Sequence, residues 1–121
     1  IPFYGDGSSR RDYTYIDDIT DGVEAALQSS LPFEIVNLGG AHPVTLAELV
    51  AAIERATGRT ARLERQAVPP GDVPVTFAAV ARAERLLGFR ARVPLDEGLR
   101  RSVAWFRDAG ALAPGTGGRN A

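Results

Sequence analysis

A small mixed α/β domain, about four helices joined by short strands, is the fold class that the sequence predicts, on three observations. Three stretches repeat apolar residues every three or four positions, as on a helix face, and a fourth, Val80 to Leu87, reads as a two-turn helix. Short β-rich runs stand between them and end at turn residues. Capping and stop residues fall where the helical periodicity begins and ends: Thr45 and Glu48 before one stretch, Gly58 and Gly88 after two.

In chain order, Ile1-Pro2-Phe3-Tyr4 reads as part of a strand. Ile16-Asp17-Asp18 opens the first helix, with Ile19, Val23, Ala26 and Leu27 on one face. Asp17 or Asp18 is placed to cap it, and a first-turn carboxylate suits the helix dipole, so neither is assigned catalysis. Phe33-Glu34-Ile35-Val36-Asn37-Leu38 reads as a short strand ending at the Gly39-Gly40 turn. Thr45-Leu46-Ala47-Glu48 forms a capping box, and the helix behind it buries Leu46, Leu49, Val50 and Ile53 before stopping at Gly58. Ala61 to Gln66 alternates in polarity and suggests another strand. Val68 to Pro74 is a rigid loop with prolines at 69, 70 and 74, and Val80 to Leu87 is a two-turn helix ended by Gly88. The last helix starts near Pro94-Leu95 and buries Leu95, Leu99, Val103 and Phe106, with Trp105 and Phe106 read as core rather than as a binding platform. Ala113 to Ala121 is glycine-rich without periodicity and reads as a disordered tail, so the domain is expected over 1–112 and the tail over 113–121.

The 121 residues are 45% hydrophobic with a formal charge of −1, which fits one soluble domain with a modest core. No apolar run approaches the roughly 20 residues of a membrane span, and no secretory signal is visible, so a cytoplasmic protein is expected. The absence of cysteine excludes disulfides and thiolate metal sites, and no metal is expected. All 14 basic residues are arginine, spread along the chain and balanced by 15 acids. No basic stripe marks a nucleic-acid face.

The motif richest in chemistry is Arg11-Asp12-Tyr13-Thr14-Tyr15-Ile16-Asp17-Asp18, preceded by Phe3-Tyr4-Gly5-Asp6-Gly7-Ser8-Ser9. A guanidinium keeps its charge at any working pH and offers phosphate oxygens a planar fork of donors, although the same fork also pairs with structural carboxylates. Four more segments follow in order: Asn37-Leu38-Gly39-Gly40, Pro70-Gly71-Asp72-Val73-Pro74, Leu86-Leu87-Gly88-Phe89 and Pro94-Leu95-Asp96-Glu97-Gly98-Leu99, with the Pro43-Val44-Thr45-Leu46-Ala47-Glu48 helix start between the first two. Together they resemble the C-terminal substrate-binding part of NAD-dependent nucleotide-sugar epimerases and dehydratases, the extended branch of the short-chain dehydrogenase/reductases. The run from Asp12 to Asp18 looks closest to UDP-glucuronate and UDP-glucose 4-epimerases, since galactose-type enzymes tend to have Tyr-Ile-His at Tyr13 to Tyr15.

The resemblance implies that Arg11 holds the diphosphate of a UDP-sugar, that Asp72 accepts from the ribose hydroxyls, and that the strand carrying Pro2 and Tyr4 lies along the uracil edge. Read by itself, Asp72 is an Asx-type turn residue after glycine, and the family context reverses that reading. His42, in a Gly-Ala-His-Pro turn, reads as a loop residue rather than a base. Pro69 stands where the family often has a second diphosphate ligand, arginine or glutamine, and Arg65 is a candidate substitute. Ala79 stands where the family usually has a helix-capping aspartate. The resembled enzymes bind NAD in a separate Rossmann domain through a glycine-rich turn and use a Tyr-x-x-x-Lys pair; this chain has no lysine and no such turn. The chain is therefore expected to be the last third or so of such an enzyme, with no catalytic or cofactor residue of its own, inactive alone, and prone to self-association where its missing Rossmann domain would pack. A 4,6-dehydratase or decarboxylase fragment, or a free-standing non-catalytic sugar-nucleotide-binding or interaction module, is the alternative.

Overall fold

The structure is a computed structural model that describes residues 1–109. Its elements run β1 (Pro2–Tyr4), β2 (Arg10–Arg11), α1 (Ile16–Gln28), β3 (Val44–Thr45), α2 (Leu46–Thr57), β4 (Glu64–Gln66), α3 (Ala81–Leu87) and α4 (Leu95–Asp108). The mixed α/β class expected from the sequence is the one observed, while residues 110–112 and the tail expected over 113–121 lie outside the described residues.

Two small ladders bring the N-terminal third against segments far along the chain. β1 pairs in parallel with β4, Phe3 opposite Arg65 and Tyr4 opposite Gln66. β2 pairs antiparallel with β3, Arg10 opposite Thr45 and Arg11 opposite Val44. On its other side the Arg10 amide donates to Pro74 O at 2.8 Å and Arg10 O accepts from Thr76 N at 3.1 Å. The backbone of Arg10 is thus held between two segments, which fixes where the Arg11 side chain starts.

α2 packs on α4, and α1 on α3. Phe3, Val50, Ala52, Ala83 and Phe89 are buried. The capping box forms as the sequence predicts: Thr45 Oγ1 accepts from Glu48 N at 3.1 Å, and Thr45 N donates to Glu48 Oε2 at 2.7 Å. Gly58 and Gly88 end α2 and α3 with φ of +70° and +65°, a left-handed turn that glycine adopts without steric cost. Pro94 opens α4, and Leu95, Leu99 and Val103 are half-buried along it. No side chain caps α3, and its cap position is Val80, not Ala79, where the sequence placed a lost capping aspartate.

Five expectations are corrected. The cap position of α1 is Tyr15, with no side-chain cap, so neither Asp17 nor Asp18 caps it. Its inward face is Asp18, Gly22 and Ala25, whereas Val23 and Leu27 are 49% and 81% exposed. Gly22 explains the rotation: a Cβ there would lie 2.8 Å from Leu38 Cδ1 and 2.9 Å from Phe89 Cδ2, so only a bare backbone permits this approach. Phe33 to Leu38 forms no strand, because among the described residues no neighbouring strand completes a ladder, and Phe33 and Ile35 stay 90% and 68% exposed. Of the run Ala61 to Gln66 only Glu64–Gln66 pairs. Finally, Trp105 and Phe106 are not core. They are 64% and 44% exposed and meet edge to face at 5.0 Å. Arg107 already reaches Thr57 O, so the last turn of α4 has passed the end of α2.

Candidate functional site

β2 delivers Arg11 towards the proline loop. One guanidinium nitrogen, NH1, donates to Arg10 O at 2.8 Å, and NH2 donates to Asp72 Oδ1 at 2.5 Å, with the two side chains 28% and 34% exposed. Asp72 is presented by the turn Pro69-Pro70-Gly71-Asp72, closed by Asp72 N donating to Pro69 O at 3.1 Å. Proline and glycine at the two central positions, with Gly71 at φ +84°, are the pattern of a type II turn. The Asp72 carboxylate reaches Arg11, 61 residues away, rather than folding back as an Asx turn.

A cleft of about 150 Å³ lies beside this pair, walled by Tyr4, Asp6, Ser8, Asp72 and Pro74 among others. Ser8 donates to Asp6 Oδ1 through its hydroxyl at 2.6 Å and its amide at 2.9 Å, and these bonds hold the Asp6 carboxyl below its ordinary range. The structure therefore brings Tyr4 and Asp72 to one cleft, and Arg11 is joined to it through its ion pair with Asp72 rather than standing among its walls. Pro2 is not among its walls: it sits at the start of β1 opposite Glu64. Arg65 does not replace a ligand at Pro69; its guanidinium stacks over the Phe3 ring at 5.1 Å, and Phe3 points to the opposite face of β1 from Tyr4. His42 is an exposed loop residue.

Two further aspartates support the site, and the sequence did not reveal either. Asp12 Oδ2 accepts from Ala41 N at 2.9 Å and Ala78 N at 3.1 Å, joining three segments, while its Oδ1 is buried without a hydrogen-bond partner. Gly39 makes room for it, since a Cβ there would lie 2.4 Å from Ala78 Cβ and 2.9 Å from Asp12 Oδ2. Ala41 takes a left-handed φ of +54° to aim its amide, a conformation that costs an L-residue about 1–2 kcal/mol. Asp18, 3% exposed, accepts from Arg92 N and Val93 N at 3.0 Å each and ties α1 to the segment that opens α4. The signal for Asp12 in the sequence was the Gly39-Gly40 pair, which reads as a turn but equally marks a close approach.

The chemistry available here is recognition. A carboxylate paired with a guanidinium stands at the wall of a cleft with a second carboxylate and an aromatic ring. Among the described residues no group of three His, Asp or Glu residues is placed to hold a metal, and no helix is long and apolar enough to cross a membrane. A dinucleotide does not fit the elements present. Neither α1 nor α2 opens from a glycine-rich turn, and the first-turn amides of α2 are already taken, Leu46 N by Ser9 O, Ala47 N by Gly7 O and Glu48 N by Thr45 Oγ1.

Comparison with known proteins agrees. Residues 1–39 match the NAD dependent epimerase/dehydratase family. A UDP-glucuronate 4-epimerase of Thermodesulfobacterium geofontis is 38% identical over 109 residues, 89% of this chain and 33% of that protein. The crystal structure of the Bacillus cereus UDP-glucuronic acid 4-epimerase in complex with UDP-glucuronic acid and NAD superposes with a TM-score of 0.81 at 29% identity, covering 89% of this chain and 35% of the other. The Thermotoga maritima UDP-glucose 4-epimerase with UDP-glucose gives a TM-score of 0.82 at 28% identity over 90% of this chain and 35% of that one. The chain spans about a third of the length of the curated relatives it matches. By sequence and by fold, this chain is similar to about a third of the length of NAD-dependent UDP-sugar epimerases.

Proposed function

We propose that this chain is the C-terminal substrate-binding portion of an NAD-dependent UDP-sugar 4-epimerase and holds the nucleotide of the substrate, Arg11 on the diphosphate, Asp72 on the ribose and the β1 backbone from Pro2 to Tyr4 along the uracil. The observation that supports this most is the pairing of Arg11 with Asp72, a residue that walls the Tyr4 cleft. Both are needed for a nucleoside diphosphate: a guanidinium complements phosphate oxygens, and a carboxylate accepts two hydrogen bonds from a vicinal diol. UDP-glucuronate is the sugar nucleotide we favour, on the Tyr13-Thr14-Tyr15 run and on two similar proteins named UDP-glucuronate 4-epimerases.

NAD supplies hydride chemistry in the parent enzyme, and its site belongs to a Rossmann domain outside this sequence. This chain has no lysine to serve the Tyr-x-x-x-Lys pair, so it is inactive alone and contributes anchoring of the nucleotide. Half a cleft binds weakly: UDP-glucuronate should bind with millimolar affinity, about 4 kcal/mol. Titration followed by NMR should show shifts at Tyr4 and Asp72 that Arg11→Ala abolishes. Shifts that persist unchanged in Arg11→Ala would remove the central assignment.

A further inference from the structure

We propose that the Arg11–Asp72 ion pair is a latch that a ribose diol opens, coupling diphosphate binding to ribose recognition so that the site selects ribonucleoside diphosphates over inorganic diphosphate and over nucleotides lacking the diol. The proposal rests on the nucleotide-binding reading above and assigns a selectivity to that site. Four observations carry it.

The Arg11 fork is engaged on both arms, by Arg10 O and by Asp72 Oδ1. A diphosphate approaching Arg11 therefore competes with a carboxylate already in place. The cleft beside the pair adds Asp6 to Asp72, so a bare dianion meets two negative charges, whereas a diol brings two hydroxyl donors to the same oxygens. Position 69, in the same turn as Asp72, is proline, so that turn adds no second guanidinium to offset the carboxylate. Lastly, Asp72 can turn its side chain without moving its backbone. The main chain is fixed by the turn hydrogen bond to Pro69 O, the side chain is about a third exposed, and the space beside Gly71 is open.

The exchange needs no proton or electron transfer. In the free site Asp72 neutralises Arg11. When a ribose docks, its two hydroxyls donate to the Asp72 carboxylate and weaken its hold on NH2, and the guanidinium is released to the diphosphate carried by the same ligand. Each contact makes the other stronger, which is positive coupling between two subsites.

The test titrates the 121-residue chain with UDP, 2′,3′-dideoxy-UDP and inorganic pyrophosphate, in wild type and Asp72→Asn, reading the amide shifts of Tyr4 and Arg11. Asp72→Asn keeps the shape and removes the charge. It should strengthen pyrophosphate and dideoxy-UDP binding about three- to tenfold, the scale of a lost competing ion pair, and weaken UDP. In a second measurement that leaves the protein unaltered, saturating uridine should tighten pyrophosphate binding to wild type about threefold. Pyrophosphate affinity that is unchanged or lower in Asp72→Asn overturns the latch, as does uridine that leaves pyrophosphate affinity unchanged or competes with it. In either case UDP shifts at Tyr4 and Arg11 would leave the nucleotide-binding reading standing. Absence of UDP shifts at those residues in wild type overturns that reading and the latch with it.

Discussion

Replacing Asp18 by alanine should cost more stability than any other single carboxylate change in this chain. The side chain is 3% exposed, and its two oxygens accept from the amides of Arg92 and Val93 at 3.0 Å each. A hydrogen bond to a charged acceptor contributes about 1.5–3 kcal/mol, so two give roughly 3–6. Water reaches the exposed Arg92 backbone more readily than that of the half-buried Val93, and the variant no longer desolvates a charge, which lowers the expected loss to about 2–4 kcal/mol. Against a total stability of about 5–15 kcal/mol for a domain this is a large share. With a urea dependence of about 2 kcal/mol per molar, the middle of the usual range, the unfolding midpoint should fall by roughly 1–2 M. Asp18→Asn should also destabilise, because its amide NH2 must face one of the two donors. The control is Asp17→Ala, next in sequence but 59% exposed and reaching Arg101 only at 3.3 Å; its midpoint should not move measurably. Urea unfolding that puts Asp18→Ala beside Asp17→Ala would refute the clamp.

Gly39→Ala should lose roughly 2–3 kcal/mol, since its Cβ would stand 2.4 Å from Ala78 Cβ, a group fixed to the backbone, and would press on Asp12; denaturation together with faster exchange of the Ala78 amide checks this. Stability should decline in acid. The Thr45 amide and hydroxyl hold the Glu48 carboxyl below its ordinary 4.5, and Arg101 and Arg100 do the same for Glu97. A carboxyl with a depressed folded pKa stabilises fully above its unfolded value and loses that contribution as pH falls through the folded one, so midpoints should be flat above pH 4.5 and drop below it, less steeply in Glu48→Gln. Leu27, Phe33 and Ile35, 81%, 90% and 68% exposed, should make the chain self-associate, and sedimentation giving a strict monomer at high concentration would count against that.

α2, α3 and α4 were legible because their boundaries are local chemistry: a capping box four residues long, glycines that accept positive φ, a proline before Leu95. α1 was legible as a helix but not in its rotation. Periodicity weighs Val23 and Leu27 heavily and Gly22 not at all, yet closeness to Leu38 and Phe89 is what a missing side chain provides. The run from Phe33 to Leu38 has strand composition, but a strand is completed by its neighbour, and composition says nothing of whether one is there. At the site, the contact of Arg11 with Asp72 joins positions 61 apart, a pairing no local spacing encodes; only the resemblance to a family brought both forward. Asp12 and Asp18 escaped notice for the same reason. Their partners are backbone amides, which every residue but proline has, so nothing in the sequence distinguishes Ala78 or Val93 as a donor.

The long reach of these aspartates also constrains the order in which the molecule can be built. Asp12 waits for Ala78 and Asp18 for Val93, separations of 66 and 75 residues. On a ribosome adding about 5–20 residues per second, Asp18 would emerge roughly 4–15 s before its partner. Closing each loop separately would cost entropy that grows with the logarithm of its length, but one closure shortens the rest. Once Arg10 O has captured Thr76 N, the Ala78 amide that Asp12 needs is only two residues further on. The clamps should therefore lock in succession, from Arg10 to Asp12 to Asp18, in a single late step after most of the chain has been made. Dominated by such distant contacts, that step should be slower than the formation of α2 and α4 themselves.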